Sequence, residues 1–448
     1  MVLYSAEPKP QAHIVRKLKI ITPTIIPRAE HNISRANISE NAVKVLYRLK
    51  KAGYQAFLVG GGVRDLLLGR EPKDFDVATD ATPEDVRRVF RNCRLIGRRF
   101  KLAHVHFGRE IIEVATFRGK HEADSEQAKL DSENGMLLRD NVYGTIEEDA
   151  LRRDFTVNAL YYNIEDFSVI DYADGLKDLD TGVLRLLGDP EQRYREDPVR
   201  MLRAARFAAK LGFIINPECE KPLLENGDLL DGVPAARLFD ELLKLFLGGT
   251  ALHAFEKLRQ FGLFRHLFPE TEACLSHEEH GFPITFVIQG LKNTDTRIRE
   301  GKPVTPAFLF AVILWEPVRL HAAKLEAGGE SQHDAILQAG TEAVSRQVSR
   351  VAIPKRFTLQ MREIWNMQHR LELRGKRALR LMGHPRFRAA YDFLLLRAES
   401  GEVDLALAEW WTLIQEVSEE KRIEMVNATG GGGNKRRRRR PRKRPVVE

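Results

Sequence analysis

The chain predicts an α+β protein, a mixed sheet with helices followed by a long all-α part. Three observations predict it. Short apolar runs bounded by turn residues, such as Ala56 to Val59 and Ile111 to Phe117, are concentrated in the first part of the chain. From Asp197-Pro198 onward the apolar residues recur at helical spacing, with Pro/Gly breaks near 217, 232 to 234, 248, 269, 282 and 302 to 306. A length of 448 residues with 43% hydrophobic and 30% charged residues suits two or three folded domains.

Residues 1 to 38, broken by Pro8, Pro10, Pro23 and Pro27, read as an irregular extension without a signal-peptide core. Ser39 can cap a helix with Val43, Leu46 and Leu49 on one face, ending at Gly53. Ala56 to Val59 reads as a buried strand. Thr82-Pro83-Glu84-Asp85 combines an N-cap, a proline at the first helical position and an acid at the third, predicting a helix to about Asn92. Val105 to Phe107 and Ile111 to Phe117, joined by Gly108-Arg109, form a hairpin that extends the sheet. Residues 119 to 144 are polar and poorly periodic, a mobile excursion. Thr145 with Glu148 makes a capping box for a helix carrying Arg152-Arg153-Asp154, and strands follow at Leu160 to Ile164 and Val169 to Tyr172.

Charge is unevenly placed. The net +8 comes from the tail: residues 435 to 444 hold nine Lys/Arg behind Gly430 to Gly433, Glu448 is the one acid after them, and residues 1 to 434 are neutral. Such a run buries nothing and suits a flexible arm that handles nucleic acid, with a membrane surface as the rival contact. Cys93, Cys219 and Cys274 match neither a disulfide framework nor a zinc pattern, so a reducing cytoplasm is the expected compartment. The longest apolar run, Ala307 to Trp315, is too short for an integral membrane segment.

Chemistry concentrates after Ala56. Gly60, Gly61 and Gly62 follow the buried strand and let backbone N–H groups approach a triphosphate, with Arg64 as a nearby cation. Asp74 and Asp76, spaced i, i+2, share one face if both lie on a strand, as two carboxylates must to hold divalent cations together, with Phe75 turned to the core. A phosphate cradle beside a metal-binding pair points to nucleotidyl transfer. No Gly-Lys-Ser/Thr follows the glycines, which excludes a P-loop, and the aspartates come too early for a Rossmann ribose acid. Two-metal transfer needs about three carboxylates. Asp154 and Glu113, on the strand after Gly108, both suit the third position.

The Gly-Gly-x-Val-Arg-Asp and Asp-x-Asp pair resembles the polymerase β-like nucleotidyltransferases, in the branch that holds tRNA CCA-adding enzymes and bacterial poly(A) polymerases. Arg152-Arg153-Asp154-Phe155-Thr156-Val157-Asn158-Ala159 is similar to a motif of the same family. That resemblance favours Asp154 over Glu113 as the third catalytic and metal-binding carboxylate beside Asp74 and Asp76, and adds Arg153 to the nucleotide contacts. It implies two magnesium ions and ATP as substrate. Asp197, Arg200 and Arg203, in Glu196-Asp197-Pro198-Val199-Arg200-Met201-Leu202-Arg203, resemble the family's nucleotide-selecting motif, in which a carboxylate and guanidinium groups read a base edge. Asp197 is placed at the N-cap and Pro198 at the first helical position.

Gly97-Arg98-Arg99-Phe100-Lys101-Leu102-Ala103-His104 looks like the element that marks poly(A) polymerases within the branch. Around it, Arg87, Arg88, Arg91, Arg94, Arg98, Arg99 and Lys101 suit triphosphate or RNA backbone. His104 and His106 read as structural, and His277, His280 and His333-Asp334 as incidental. The resemblance implies a polymerase β-like head at 39–190, a helical neck at 191–270 that selects nucleotide and binds RNA, a helical body at 271–429 and a basic tail at 430–448. It also implies template-independent addition of AMP to RNA 3′ ends of mRNA and other transcripts, marking them for decay, with RNA-decay machinery as a partner. A CCA-adding enzyme using CTP and ATP is the alternative. A non-catalytic RNA-binding protein is the third reading, against which the intact carboxylate set argues.

Overall fold

The computed structural model describes residues 22–97, 101–119, 132–133, 136–137, 142–277, 283–375 and 377–429. Residues 1 to 21 of the extension, most of the 119 to 144 excursion, Arg98 to Phe100, His280 and the tail from 430 lie outside the described residues. The chain divides into two compact units between Asp189 and Pro190.

The first unit is built on an eight-stranded mixed sheet. Its strands are β1 (Thr24–Ile26), β2 (Ala56–Val59), β3 (Asp76–Thr79), β4 (Cys93–Ile96), β5 (Leu102–Phe107), β6 (Glu110–Thr116), β7 (Leu160–Asn163) and β8 (Val169–Asp171). They lie in the order β1-β8-β7-β2-β3-β6-β5-β4, antiparallel except for the β3/β6 pair. The parallel pair needs a crossover, and the helix Pro83–Val89 with the β4–β5 hairpin supplies it. Thr82 and Asp85 form the expected capping box, but the helix stops at Val89 because Phe90 turns into the core and the chain enters β4. The extension is not wholly irregular: residues 24 to 26 pair with β8 and cover the sheet edge.

Apolar residues pack on both faces of the sheet. Leu58, Val77, Ala103 and Val114 are buried on one face, near α1 (Glu40–Lys51), whose Val45, Leu46 and Leu49 are also buried. Phe57, Val59, Ala78, Phe117 and Tyr161 pack on the other with Ala150 of the helix Ile146–Leu151. That helix ends before Arg152, so Arg152-Arg153-Asp154 occupies the turn behind it rather than the helix itself. Thr145 and Glu148 cap its start as expected.

The second unit is almost entirely helical from Pro190 to Thr429. Trp315, Trp365 and Trp411 are buried, and each indole N–H donates to a partner, respectively Glu402, the Ala311 carbonyl and the Leu371 carbonyl. Large rings can fill a core between helices only when that polar atom is satisfied. The apolar run Ala307 to Trp315 is buried here except for the partly exposed Phe308, and among the described residues no single helix is long and apolar enough to cross a membrane. Asp334 joins Ser331 in capping the helix Gln332–Arg350, which gives the His333-Asp334 pair an ordinary structural part.

Candidate active site

β2 ends at Val59 and the chain turns at Gly60, where φ of 73° and ψ of −133° suit glycine alone. Gly61 then opens a short helix, Gly61–Leu67. The aspartate segment lies against the turn: a Cβ at Gly62 would make ordinary contact with the Asp74 carbonyl oxygen at 3.4 Å and with the Phe75 ring at 3.7 Å. Asp74 is exposed and precedes β3, so only Asp76 is on the strand and the expected same-face strand pair is replaced by a strand residue and its flanking loop residue. Phe75 packs on Gly62 and stays partly exposed instead of entering the core.

Register makes Asp76 one member of a polar row. Asp76 pairs with Glu113 across the parallel β3/β6 ladder, Glu113 with His104 across β6/β5, and His104 with Arg94 across β5/β4. Directly paired residues share a face. His104 Nε2 lies 3.5 Å from Glu113 Oε1, so the histidine read as structural is Glu113's neighbour. Burial, followed by the charge of Glu113 and, more weakly, that of Asp74, pushes the Asp76 carboxyl up to about 6, against the pull of Arg153. Crowded carboxylates of this kind are the donor set a divalent cation fits, because the ion removes the repulsion that raises the pKa. Among the described residues no three His, Cys, Asp or Glu side chains are already gathered around one point as a metal cage.

Arg153 is the cation beside the turn. A Cβ at Gly60 would be 3.4 Å from Arg153 Nη1, and the guanidinium also acts on Asp76. Asp149 Oδ2 accepts from Arg153 Nη2 at 2.9 Å and from the Tyr161 hydroxyl at 2.7 Å, while that hydroxyl accepts from Arg153 Nε at 3.0 Å. Burial holds the Tyr161 phenol well above its ordinary range, so it stays a donor to Asp149. Sequence reasoning missed both partners. The Asp149–Arg153 spacing, one helical turn, was the available signal.

Arg64 turns inward. It is 2% exposed, donates to Asp65 Oδ1 from Nε at 2.8 Å and Nη2 at 2.7 Å, and reaches Asn158 Oδ1 from Nη1 at 2.5 Å. Asn158 in turn donates to Asp154 Oδ1 at 3.2 Å, an oxygen that also accepts the Phe155 N–H at 2.8 Å. Arg64 thus ties the glycine turn to the segment carrying Asp154, since a buried guanidinium must be paired. Of the basic cluster, Arg88 pairs with Asp85 and Lys101 with Glu84 at 2.7 Å.

The segment read as nucleotide-selecting lies in the second unit. Pro198 takes the N-cap position, one residue later than expected, and Val199–Leu211 follows as helix. Asp197 Oδ1 still accepts the Val199 N–H at 3.3 Å, and its Oδ2 accepts from Arg237 at 2.7 Å. Arg200 donates to the Arg193 carbonyl at 2.6 Å and to Glu196 at 3.3 Å. Arg203 lies 5.4 Å from the Phe207 ring centroid. All three side chains are partly exposed, and Arg200 and Arg203 lie one turn apart on the helix.

Comparison with known proteins adds family to geometry. Three family models match, described as "Poly A polymerase head domain" over residues 56–185, "Probable RNA and SrmB- binding site of polymerase A" over 212–275, and "Polymerase A arginine-rich C-terminus" over 328–444. Among solved structures, the Bacillus stearothermophilus CCA-adding enzyme in complex with CTP shares the fold at a TM-score of 0.56 and 24% identity, covering 88% of this chain and 89% of that one. The CCA-adding enzyme of Bacillus subtilis is 38% identical over 54% of this chain and 59% of its own length. Poly(A) polymerase I of Salmonella typhimurium is 54% identical over 90% of this chain and 88% of its own, and that of Haemophilus influenzae 47% identical over 94% of both. With such identity along nearly the whole length of these relatives, the chain belongs to the poly(A) polymerase I family.

Proposed function

We propose that this protein is an ATP:RNA adenylyltransferase that extends RNA 3′ ends without a template. The observation that carries the reading is the meeting, at one end of the sheet, of the Gly60 turn, Arg153 and the crowded Asp76–Glu113 pair. The RNA 3′-hydroxyl attacks the α-phosphate of ATP, a phosphodiester bond forms, the bond to pyrophosphate breaks, and the hydroxyl proton passes to solvent. Gly60, Gly61 and Gly62 receive the triphosphate, Arg153 balances its charge, and Arg64 braces the turn. Asp74 and Asp76 would hold two magnesium ions, which when bound activate the hydroxyl and neutralise the leaving group. Asp154 is the third carboxylate that the motif assigns. Family membership favours ATP over CTP, and action in the cytoplasm, marking transcripts for decay, completes the reading.

One incubation series tests it: purified protein, magnesium, a generic RNA or a tRNA lacking its 3′ end, and each nucleoside triphosphate alone or CTP with ATP. Long tails from ATP alone on the generic RNA are expected. Ordered addition of C, C and A confined to the truncated tRNA would establish the CCA-adding alternative instead.

Base choice is assigned to Asp197, Arg200 and Arg203. Arg200→Ala is expected to raise the KM for ATP about tenfold and to relax discrimination against CTP, because a base-reading site loses selectivity when one partner is unpaired. Unchanged preference in single variants of all three residues would move that site elsewhere. Deleting residues 435 to 448 is expected to weaken RNA binding while leaving kcat on saturating primer unchanged. Removing nine cations should make the salt dependence shallower by up to about 6 in log–log slope, at ~0.7 per released phosphate contact. Equal affinity and slope in both proteins would assign the tail to a membrane surface or a protein partner.

A further inference from the structure

Within the helical unit, the helices Ile284–Arg299, Pro306–Ile313, Lys355–Leu371 and Phe387–Glu399 surround a cavity of about 400 Å³. This is large enough for a ligand site, for which ~300–1,000 Å³ is usual. Phe308 lines it and is partly exposed, its ring set edge-on against Phe393 at 6.2 Å and 81°. Arg297, Arg386 and Arg388 line the same space, and so do two side-chain amides, Asn293 and Gln360. A partly exposed aromatic face, two amides and three guanidinium groups line this solvent-open groove, together with the carboxylates of Asp392 and Glu399.

The cations are held loosely. Arg297, exposed near the end of its helix, donates to the Pro303 carbonyl at 3.2 Å. Arg388, with its side chain 73% exposed, pairs with Asp392 at 3.0 Å, and Arg386 with Glu363 at 3.1 Å. Exposed pairs of this kind contribute little to stability. A phosphate offers a guanidinium two charged oxygens at once, so exchange of partner costs little.

We propose that this cavity takes one unstacked nucleotide of a single-stranded RNA, upstream of the end being extended. The base stacks on Phe308, Asn293 and Gln360 meet its edge, and the flanking phosphates lie on Arg297, Arg386 and Arg388. A duplex cannot enter a space of this size, whereas a splayed base on an aromatic platform with arginines along the backbone is how proteins hold single strands. The inference rests on the reading of the protein as an RNA-extending enzyme, which supplies the strand.

The test uses the full-length protein and a long oligoadenylate with a photoreactive base at one internal position. Cross-links mapping to residues 303–308 and 385–392 are expected. The exposed double variant Arg297→Ala/Arg388→Ala should raise the KM for the oligoadenylate about tenfold, with kcat, the KM for ATP and the melting temperature unchanged. Gln360→Ala should weaken the cross-link. Cross-links confined to other segments, or a double variant with unaltered KM, overturn the proposal. So does AMP alone blocking the cross-link as effectively as unlabelled RNA, because the cavity would then be a site for free nucleotide. Cross-linking requires no nucleotide addition. Wild-type protein that cross-links here yet never extends the strand would therefore overturn the functional reading and leave this one standing.

Discussion

Asp76→Asn is expected to lower AMP incorporation by about three orders of magnitude and, in the absence of metal, to make the protein more stable. Both effects have one cause. In the metal-free fold, burial and the neighbouring Glu113 push the Asp76 carboxyl from 3.8 to about 6. A raised carboxyl pKa means that the folded state holds its proton longer than the unfolded chain does. The favourable contribution is therefore complete below about pH 4 and is lost as pH rises through about 6. At neutral pH the ionised group works against the fold, by at most about 3 kcal/mol from the shift and by about 1–2 kcal/mol once partial exposure is allowed for. Asparagine removes that cost together with the charge that holds a cation, and loss of several kcal/mol of transition-state stabilisation accounts for the rate. Thermal melts in chelator at pH 5 and pH 7.5 should show the variant gaining on wild type as pH rises, and magnesium should stabilise only the wild type. A variant no more stable than wild type at pH 7.5 in chelator would mean that Asp76 is not strained. Residual activity near wild type would remove it from the mechanism.

The second large effect separates Asp154 from Glu113. Asp154→Ala is expected to reduce transfer by a factor of 10³ or so with the fold intact, as for loss of a metal ligand. Glu113→Gln is expected to act through its neighbour. Since the charge of Glu113 raises the Asp76 carboxyl, removing it should move the acid limb of the pH–rate profile to lower pH while most activity at neutral pH survives. The reverse pattern, near-complete loss in Glu113→Gln and a modest fall in Asp154→Ala, would make Glu113 the third ligand. The β3/β6 register makes that outcome structurally simple, because it sets Glu113 directly beside Asp76.

Local chemistry makes much of this protein legible in its sequence. The buried run Ala56 to Val59, the Thr82 and Thr145 capping boxes, and the Gly108-Arg109 turn are each specified within a few residues, and each appears as an element or its start. The motifs were equally local, so Gly60 to Gly62, Asp74, Asp76 and the Arg152 to Ala159 segment could be singled out from spacing and resemblance. The sequence alone determined which residue types were available for chemistry, and the family determined their expected roles.

Tertiary structure decided which of them meet. The neighbour of Asp76 is set by parallel pairing across a crossover, and strand register is a long-range choice with no marker inside either strand. Arg64 reads in the sequence as a cation near the triphosphate, yet lies buried between Asp65 and Asn158, because whether a guanidinium faces a ligand or the core depends on what the rest of the chain packs over it. Arg153 acquires Tyr161 from β7, and the Phe308 cavity gathers arginines and amides from separate helices. In each case the deciding contact joins residues that only packing of a whole hydrophobic core brings together. Periodicity, capping and motif spacing describe one segment at a time and contain no term for such a contact.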